Sequence, residues 1–306
     1  LAVGCQYNNF AMKNTRGTIA LFITILIWGT AFMVTKLVLG VIGPLLLTEI
    51  RLALSFLLLL PFAMKQGFRL KDIFRREYML FGLTGTTLYS SLENTGMSLT
   101  SVTSTALILA IIPALTTVLA VIFLKERIIK TQWLGLLLVT VGVMMIGMQN
   151  TTDSAAPRPL LGNVLVFLSA LSWAVYTIQG RVMAQKRSAM VMAVASTGAA
   201  ILQLLPFAIW ETTSRGLPQL TSTSWLGILY LAILVSAVTN FLWNDALHYL
   251  KASVASSFVN LASVIGLASA FLLGEKPPLI QIVGGAMALG GVLLSSRSAS
   301  DEQAEA

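Results

Sequence analysis

The sequence predicts an all-α polytopic membrane protein: ten transmembrane helices arranged as two inverted five-helix repeats around a central cavity. Three observations predict this: a composition suited to lipid, ten apolar runs of spanning length, and landmarks that recur at a nearly constant offset. Of 306 residues, 56% are hydrophobic and only 10% charged, with a mean hydropathy of +0.84. A soluble domain carries roughly a quarter charged residues. This chain is apolar nearly everywhere, and the lipid bilayer is its expected solvent.

A spanning helix needs about 20 largely apolar residues. Such runs lie at roughly 17–39, 44–64, 78–97, 104–124, 131–149, 160–183, 189–210, 224–246, 252–273 and 279–296. They read as helices because the alternating pattern of a barrel strand is absent and every backbone group in lipid must be satisfied internally. Residues 1–16 read as a disordered N-terminal segment, 150–159 as an extracytoplasmic linker and 298–306 as a cytoplasmic tail. The two five-helix units are then 17–149 and 160–297. The chain opens on Leu1 rather than Met. Either a TTG start or a chain beginning upstream of a start at Met12 accounts for that, and Leu1 to Cys5 only faintly resembles a lipoprotein cleavage site.

The net charge of +8 looks at first like a nucleic-acid signal, but its location argues otherwise. With the N-terminus inside, the cytoplasmic segments hold fourteen Lys and Arg, among them Lys65, Arg69, Lys71, Arg75 and Arg76 in one loop and Lys125, Arg127 and Lys130 in the next. The opposite loops hold three: Arg158, Arg215 and Lys276. This is the bias that orients spanning helices, and it places both termini in the cytoplasm of an inner-membrane protein with no nucleic-acid partner. One Cys and one His exclude a disulfide framework and a Cys/His metal site of several ligands. No cofactor is expected.

The chain repeats itself. Trp28 precedes Lys36 by eight residues, and Trp173 precedes Arg181 by eight. Leu-Leu-Pro-Phe-Ala occurs at Leu59 to Ala63 and again at Leu204 to Ala208, and all these pairs share an offset of 145. Farther on, Leu99 matches Leu250, Glu126 matches Glu275, and Gly135 and Gly142 match Gly284 and Gly291, as the offset drifts to 151 and back to 149. Five helices is an odd number, so the second copy enters the membrane from the opposite side. Inverted repeats of this kind build many secondary transporters, with the site near the midplane between the halves.

On these residues the chain resembles the EamA-type family of the drug/metabolite transporter superfamily. The resemblance is carried by the Trp in the first helix of each half, the small-residue-rich fourth helix with Pro113, the Leu-x-Glu endings at Leu124 to Glu126 and Leu273 to Glu275, and the Gly-rich last helices. It covers about residues 17–297. It implies a basket of ten helices around a cavity and the export or import of small metabolites such as amino acids. One departure stands out: the family often keeps a Pro in both fourth helices, whereas Val264 occupies the place matching Pro113. If that Pro hinges a gate, the halves bend unequally.

Ionisable groups inside spans cost roughly 2.5–3.5 kcal/mol on insertion scales, so each needs a reason. Lys36 is expected to snorkel to the outer surface. Glu49 and Arg51, two apart, do not face one another and read as cross-helix glue. Glu93 is the sharper candidate. It shares a face with Tyr89, four residues earlier, and could bind a substrate amine or carry a coupling proton; facing water at the outer mouth or pairing with Lys36 is the plainer alternative. Asn240 and Asn244 share a face of the eighth span, which is the repeat partner of the Glu93 region: Asn94 aligns with Asp245. Asp245 itself reads as a cytoplasmic helix end near His248 and Lys251.

Trp28 and Trp173 fall mid-span, away from the interface where Trp usually sits, and with Tyr176 they could line the cavity or pack helices. Asn260, midway along the ninth span, must face protein or cavity. The expected substrate-binding set is Trp28, Tyr89, Glu93, Asn94, Trp173, Tyr176, Asn240, Trp243, Asn244 and Asn260, in a cavity bounded by helices 1, 3, 4, 6, 8 and 9. Trp133 and Trp225 read as interface anchors. The small-xxx-small pairs Gly284–Ala288 and Ala286–Gly290 read as packing, against the bundle or against a second copy in a homodimer.

A membrane enzyme is disfavoured, because there is no HExxH, no nucleotide loop and no Ser/His/Asp set. The reading is a secondary transporter, an exporter, of small metabolites such as amino acids or amines by alternating access. A scaffold or receptor-like membrane protein is the alternative.

Overall fold

The computed structural model describes residues 2–125, 130–147 and 157–305. They form ten long helical stretches and one short 3-10 turn at Leu70–Phe74, with no β-strand among the described residues. We number the stretches α1 (Ala2–Leu39), α2 (Pro44–Lys65), α3 (76–99), α4 (Val102–Leu124), α5 (Lys130–Gly147), α6 (Pro159–Ala184), α7 (Ala189–Arg215), α8 (Ser222–Tyr249), α9 (Ala252–Leu272) and α10 (Leu279–Glu305). Seven of them, α1, α2, α4 and α6 to α9, are long and apolar enough to cross a membrane by length and composition. The apolar parts of α5 and α10 are shorter, Trp133–Gly142 and Leu279–Gly291. The helix of α1 continues back through residues 2–14, where the sequence suggests an unstructured segment, although its apolar part begins at Thr15. Most of the expected linker, 150–156, and the Glu126 of the first Leu-x-Glu ending lie outside the described residues.

Local chemistry starts and stops these helices where the sequence marks it. Pro44 and Pro159 open α2 and α6, where a missing N–H costs nothing. Ser101, Ser188 and Thr221 cap α4, α7 and α8 by accepting from the amide three residues on. Carboxylates cap two helices from a distance: Glu211 at the end of α7 accepts from the Leu45 and Leu46 amides (3.0 and 2.9 Å), and Glu275 accepts from those of Val102 and Thr103 (both 2.8 Å). Negative charge at a helix N-terminus meets unpaired N–H groups and the positive end of the dipole.

Irregularities recur in both halves. α3 and α8 each contain a π-helical stretch, Leu83–Leu88 and Leu231–Val238. α4 breaks at Ala110 and Ile111, and α9 breaks at Phe258. Both fourth helices are thus interrupted, although only one holds a Pro. Pro113 is the second residue after its break, and the residue at that place in α9 is Asn260, whose side-chain amide donates to the freed carbonyl of Ser257 (2.8 Å). Val264 lies farther along and is exposed. The helices α4 and α9 also both end in a left-handed residue, Lys125 (φ 55°) and Gly274 (φ 81°).

Helices of one half pack chiefly on those of the other, and the pairings come in exchanged couples: α1 with α9 and α6 with α4, α1 with α8 and α6 with α3, α2 with α8 and α7 with α3. α2 packs on α7, and α5 on α10. In the last pair a Cβ on Gly142 would meet the Gly284 carbonyl and Ala288, and one on Gly291 would meet the Gly135 carbonyl, so the small residues bring α5 and α10 together within the chain. Outward faces are apolar, with Leu57, Phe62, Phe123, Phe207, Trp210 and Leu272 all exposed, as a surface solvated by acyl chains requires.

Candidate functional site

The first helices of the two halves meet through their repeated tryptophans. Trp28 and Trp173 lie edge to face with centroids 5.2 Å apart, and Trp243 of α8 completes a triangle at 5.3 Å from each. Tyr89 and Tyr176 flank Trp173 at 4.6 and 4.9 Å. Trp28 Nε1 donates to Thr239 Oγ1 (2.9 Å), tying α1 to the last turns of the α8 spiral that follow its π-helical stretch.

A central cavity of about 80 Å³ rests on this aromatic layer. At about 10–15 Å³ for each water, that is room for roughly five to eight water molecules, or one small metabolite. Its walls come from both halves: α1 from Trp28 to Thr35, α2 at Arg51 and Leu52, α3 from Gly85 to Met97, α4 at Leu109 and Ile112, α6 at Trp173, α8 from Val235 to Asn240 and α9 from Val259 to Ser263. All six expected helices take part, and α2 joins them. The wall uses the C-terminal parts of α1 and α3, so the cavity extends from the tryptophans toward the Leu39 end of the bundle.

Five of the ten expected residues line it: Trp28, Tyr89, Glu93, Trp173 and Asn240. The others lie close by with structural work. Trp243 is fully buried within the triangle. Tyr176 is stacked on Phe81 at 4.2 Å, and its hydroxyl donates to Asn240 (3.0 Å) and accepts from Asn244 (2.9 Å). This approach needs Gly85, where a Cβ would sit 1.8 Å from the Tyr176 ring. Asn244 also donates to Asn240, as their shared face suggests, but it is wholly buried beneath the cavity floor. Asn94 turns to α2 and donates to Thr48 (2.7 Å), and Asn260 serves the α9 break. By position within their helices Asn94 corresponds to Asn244, not to Asp245, because α3 and α8 end at Leu99 and Tyr249.

The charged residues sort clearly. Lys36 does not snorkel outward. It donates to the carbonyls of Met97 and Thr100 at the end of α3 (2.8 and 2.7 Å), and its repeat partner Arg181 donates to those of Leu247 and His248 at the end of α8 (2.7 and 3.3 Å). Cations at helix C-termini satisfy the last carbonyls and the negative end of the dipole. Glu93 lines the cavity, one turn after Tyr89, which lines it too. Asp245 takes two bonds from Arg16 (3.1 and 3.2 Å), which sits over the Tyr249 ring, and so joins α1 to α8 at the Thr15 end. Glu49 is buried, and its Oε2 has no partner among the described residues.

Arg51 makes the cross-helix bond the sequence suggests, and it also belongs to the cavity, which the expected set did not include. It is 7% exposed, lines the cavity and donates from Nε to Ser236 Oγ of α8 (2.8 Å). Ser236, Thr239 and Ser263 add hydroxyls to the wall.

Comparison with known proteins fits this architecture. The model of the EamA-like transporter family matches twice, over residues 15–148 and 160–297. The chain belongs to that family. It is 26% identical over 290 residues to the uncharacterized transporter YetK of Bacillus subtilis (strain 168), covering 92% of this chain and 87% of that one. It is also 26% identical over 299 residues to a probable terminal-alkyne amino-acid exporter of Streptantibioticus cattleyicolor, covering 96% and 98%. A solved crystal structure shares the fold, with a TM-score of 0.69 at 18% identity over 92% of this chain and 97% of that one. This EamA-like chain is thus a multi-pass membrane protein of a transporter family.

Proposed function

We propose that the protein is a secondary transporter, working as an exporter, of small metabolites such as amino acids or amines. It acts by alternating access between two inverted five-helix repeats, 17–149 and 160–297, without nucleotide hydrolysis. The observation that carries this reading is the cavity between the halves, walled by both and mixing aromatic, hydroxyl, amide and charged groups in an otherwise apolar bundle. The exchanged helix pairings, the matched π-helical stretches and the Trp28–Trp173 contact support a two-fold relation of the halves. Rocking one half against the other around a fixed site is the motion such an architecture allows. Within the site Glu93 contributes to substrate or proton binding, since a carboxylate in a span needs a cavity, a cation or a proton.

The loop bias supports an inner-membrane orientation with both termini cytoplasmic. The cavity then opens away from the cytoplasm, and the Trp triangle and the Arg16–Asp245 pair close the cytoplasmic side. A thermal-shift screen of the purified protein against amino acids, amines, sugars and nucleosides tests the substrate class, because a specific ligand stabilises the folded state. Stabilisation confined to amino acids or amines supports the reading; stabilisation by sugars or nucleosides alone contradicts it.

A further inference from the structure

We infer that Arg51 and Glu93 are the two poles of a zwitterion site, so that the cargo is an α-amino acid recognised at both its carboxylate and its ammonium. This rests on the transporter reading and narrows it, because that reading leaves amines open.

Two opposite charges line one small cavity, near enough to act on each other but with no ion pair between them among the described residues. The ion pairs among the described residues are Arg16–Asp245, Arg75–Asp72, Arg187–Glu77 and Arg215–Glu211. In a medium of low dielectric an unpaired Arg and Glu attract strongly, and each carries a desolvation cost that only a counter-charge or good hydrogen bonds offset. Ser236 of α8 holds Arg51 through Nε, which ties the guanidinium to the α8 wall.

Held this way, Arg51 makes no hydrogen bond through its terminal amino groups among the described residues. That planar edge matches a carboxylate with two parallel bonds. Glu93 offers the complementary acceptor for an ammonium. Trp173, 6% exposed, also lines the cavity. The aromatic floor of Trp28 and Trp173 takes the apolar side chain. One zwitterion neutralises both poles at once, and the loaded cavity carries no net charge. An amine leaves Arg51 unmatched, and a simple acid leaves Glu93 unmatched. A site with buried polar groups left unpaired rejects such analogues far more strongly than a hydrophobic pocket rejects a missing methylene.

The test compares each of the twenty standard amino acids with the amine lacking its carboxylate and the acid lacking its amine. Binding is read from thermal stabilisation of the full chain in detergent, and transport from uptake into proteoliposomes. The best-bound amino acid is expected to exceed both truncated forms by about a hundredfold or more in Kd. Arg51→Met should abolish that binding and close the gap between amino acid and amine. Ser236→Ala, a milder change that keeps the guanidinium but frees it, should weaken amino-acid binding by about three- to tenfold while leaving amine binding unchanged. This arm decides if Arg51→Met does not fold. An amine bound within tenfold of its amino acid, no amino acid bound at all, or unchanged binding in Ser236→Ala overturns the proposal. Two-ended binding without uptake leaves it standing and overturns the transporter reading; uptake of amines as fast as amino acids does the reverse.

Discussion

Glu93 and Trp243 each stand fifth in an eleven-residue helix that follows a π-helical stretch, Tyr89–Leu99 in α3 and Thr239–Tyr249 in α8. The backbones around them follow the same plan, and even the cations that close the two helices, Lys36 and Arg181, come from matching places in α1 and α6. The chemistry is opposite. Glu93 presents a carboxylate to the cavity, while Trp243 is fully buried and completes the aromatic layer beneath it. One copy of the frame puts a charge in the cavity wall and the other puts a buried ring beneath it. The cavity is therefore polar on its Glu93 side and backed by packed rings at Trp243, with the Arg16–Asp245 pair farther toward the Thr15 end.

The largest expected effect breaks this comparison at the seal. Trp243→Ala empties a fully enclosed site and should cost about 3–5 kcal/mol of stability. Glu93→Ala, at the matching place in a cavity wall, leaves no enclosed void and should cost about 1 kcal/mol, the middle of the range for single substitutions. Equilibrium unfolding in detergent reads both, and equal losses would remove the distinction between plug and site. A smaller pair of changes tests the shared frame. Lys36→Met and Arg181→Met each unpair carbonyls at a helix end and should each cost about 1.5–3 kcal/mol. A loss in only one of them would mean that the frame is not duplicated in energy as it is in form. The smallest effect is a gain. Lys125 sits at φ 55° where the other half has Gly274, so Lys125→Gly should relieve left-handed strain and raise stability by about 1 kcal/mol. Gly274→Lys should lower it by a similar amount, and the unfolding midpoints check both signs.

Much of this arrangement was legible in the residues. Apolar runs of spanning length located the helices, although α1 and α10 continue well past the expected bounds into residues 2–16 and 297–305, and the offset between Trp28 and Trp173 brought together two side chains that touch. Glu93 stood out because a carboxylate in an apolar helix is costly. What stayed hidden depends on rotation and register. Helices that are apolar nearly all round do not announce which face meets a cavity, so Arg51 was read as glue beside Glu49. Adjacent positions differ by about 100° around a helix, which is why Glu93 lines the cavity and Asn94 turns to Thr48. The π-helical stretches add residues to the turn and shift the faces that follow, and no residue type in Leu83–Leu88 marks them. The break in α9 carries no Pro to announce it; the Asn260 side chain donates to the Ser257 carbonyl beside it.

The central claim is that a cavity built between two copies of one frame carries its cargo through Glu93. Flux through reconstituted vesicles, with wild type and Glu93→Gln incorporated in equal amounts, tests it most directly. Gln keeps the shape and removes the charge. The account predicts that uptake of the best-bound amino acid falls at least about tenfold, the effect of losing about 1.4 kcal/mol of binding, while the unfolding midpoint stays within experimental error. Unchanged uptake and an unchanged pH profile would contradict it and leave Glu93 as a structural residue of the α3 wall.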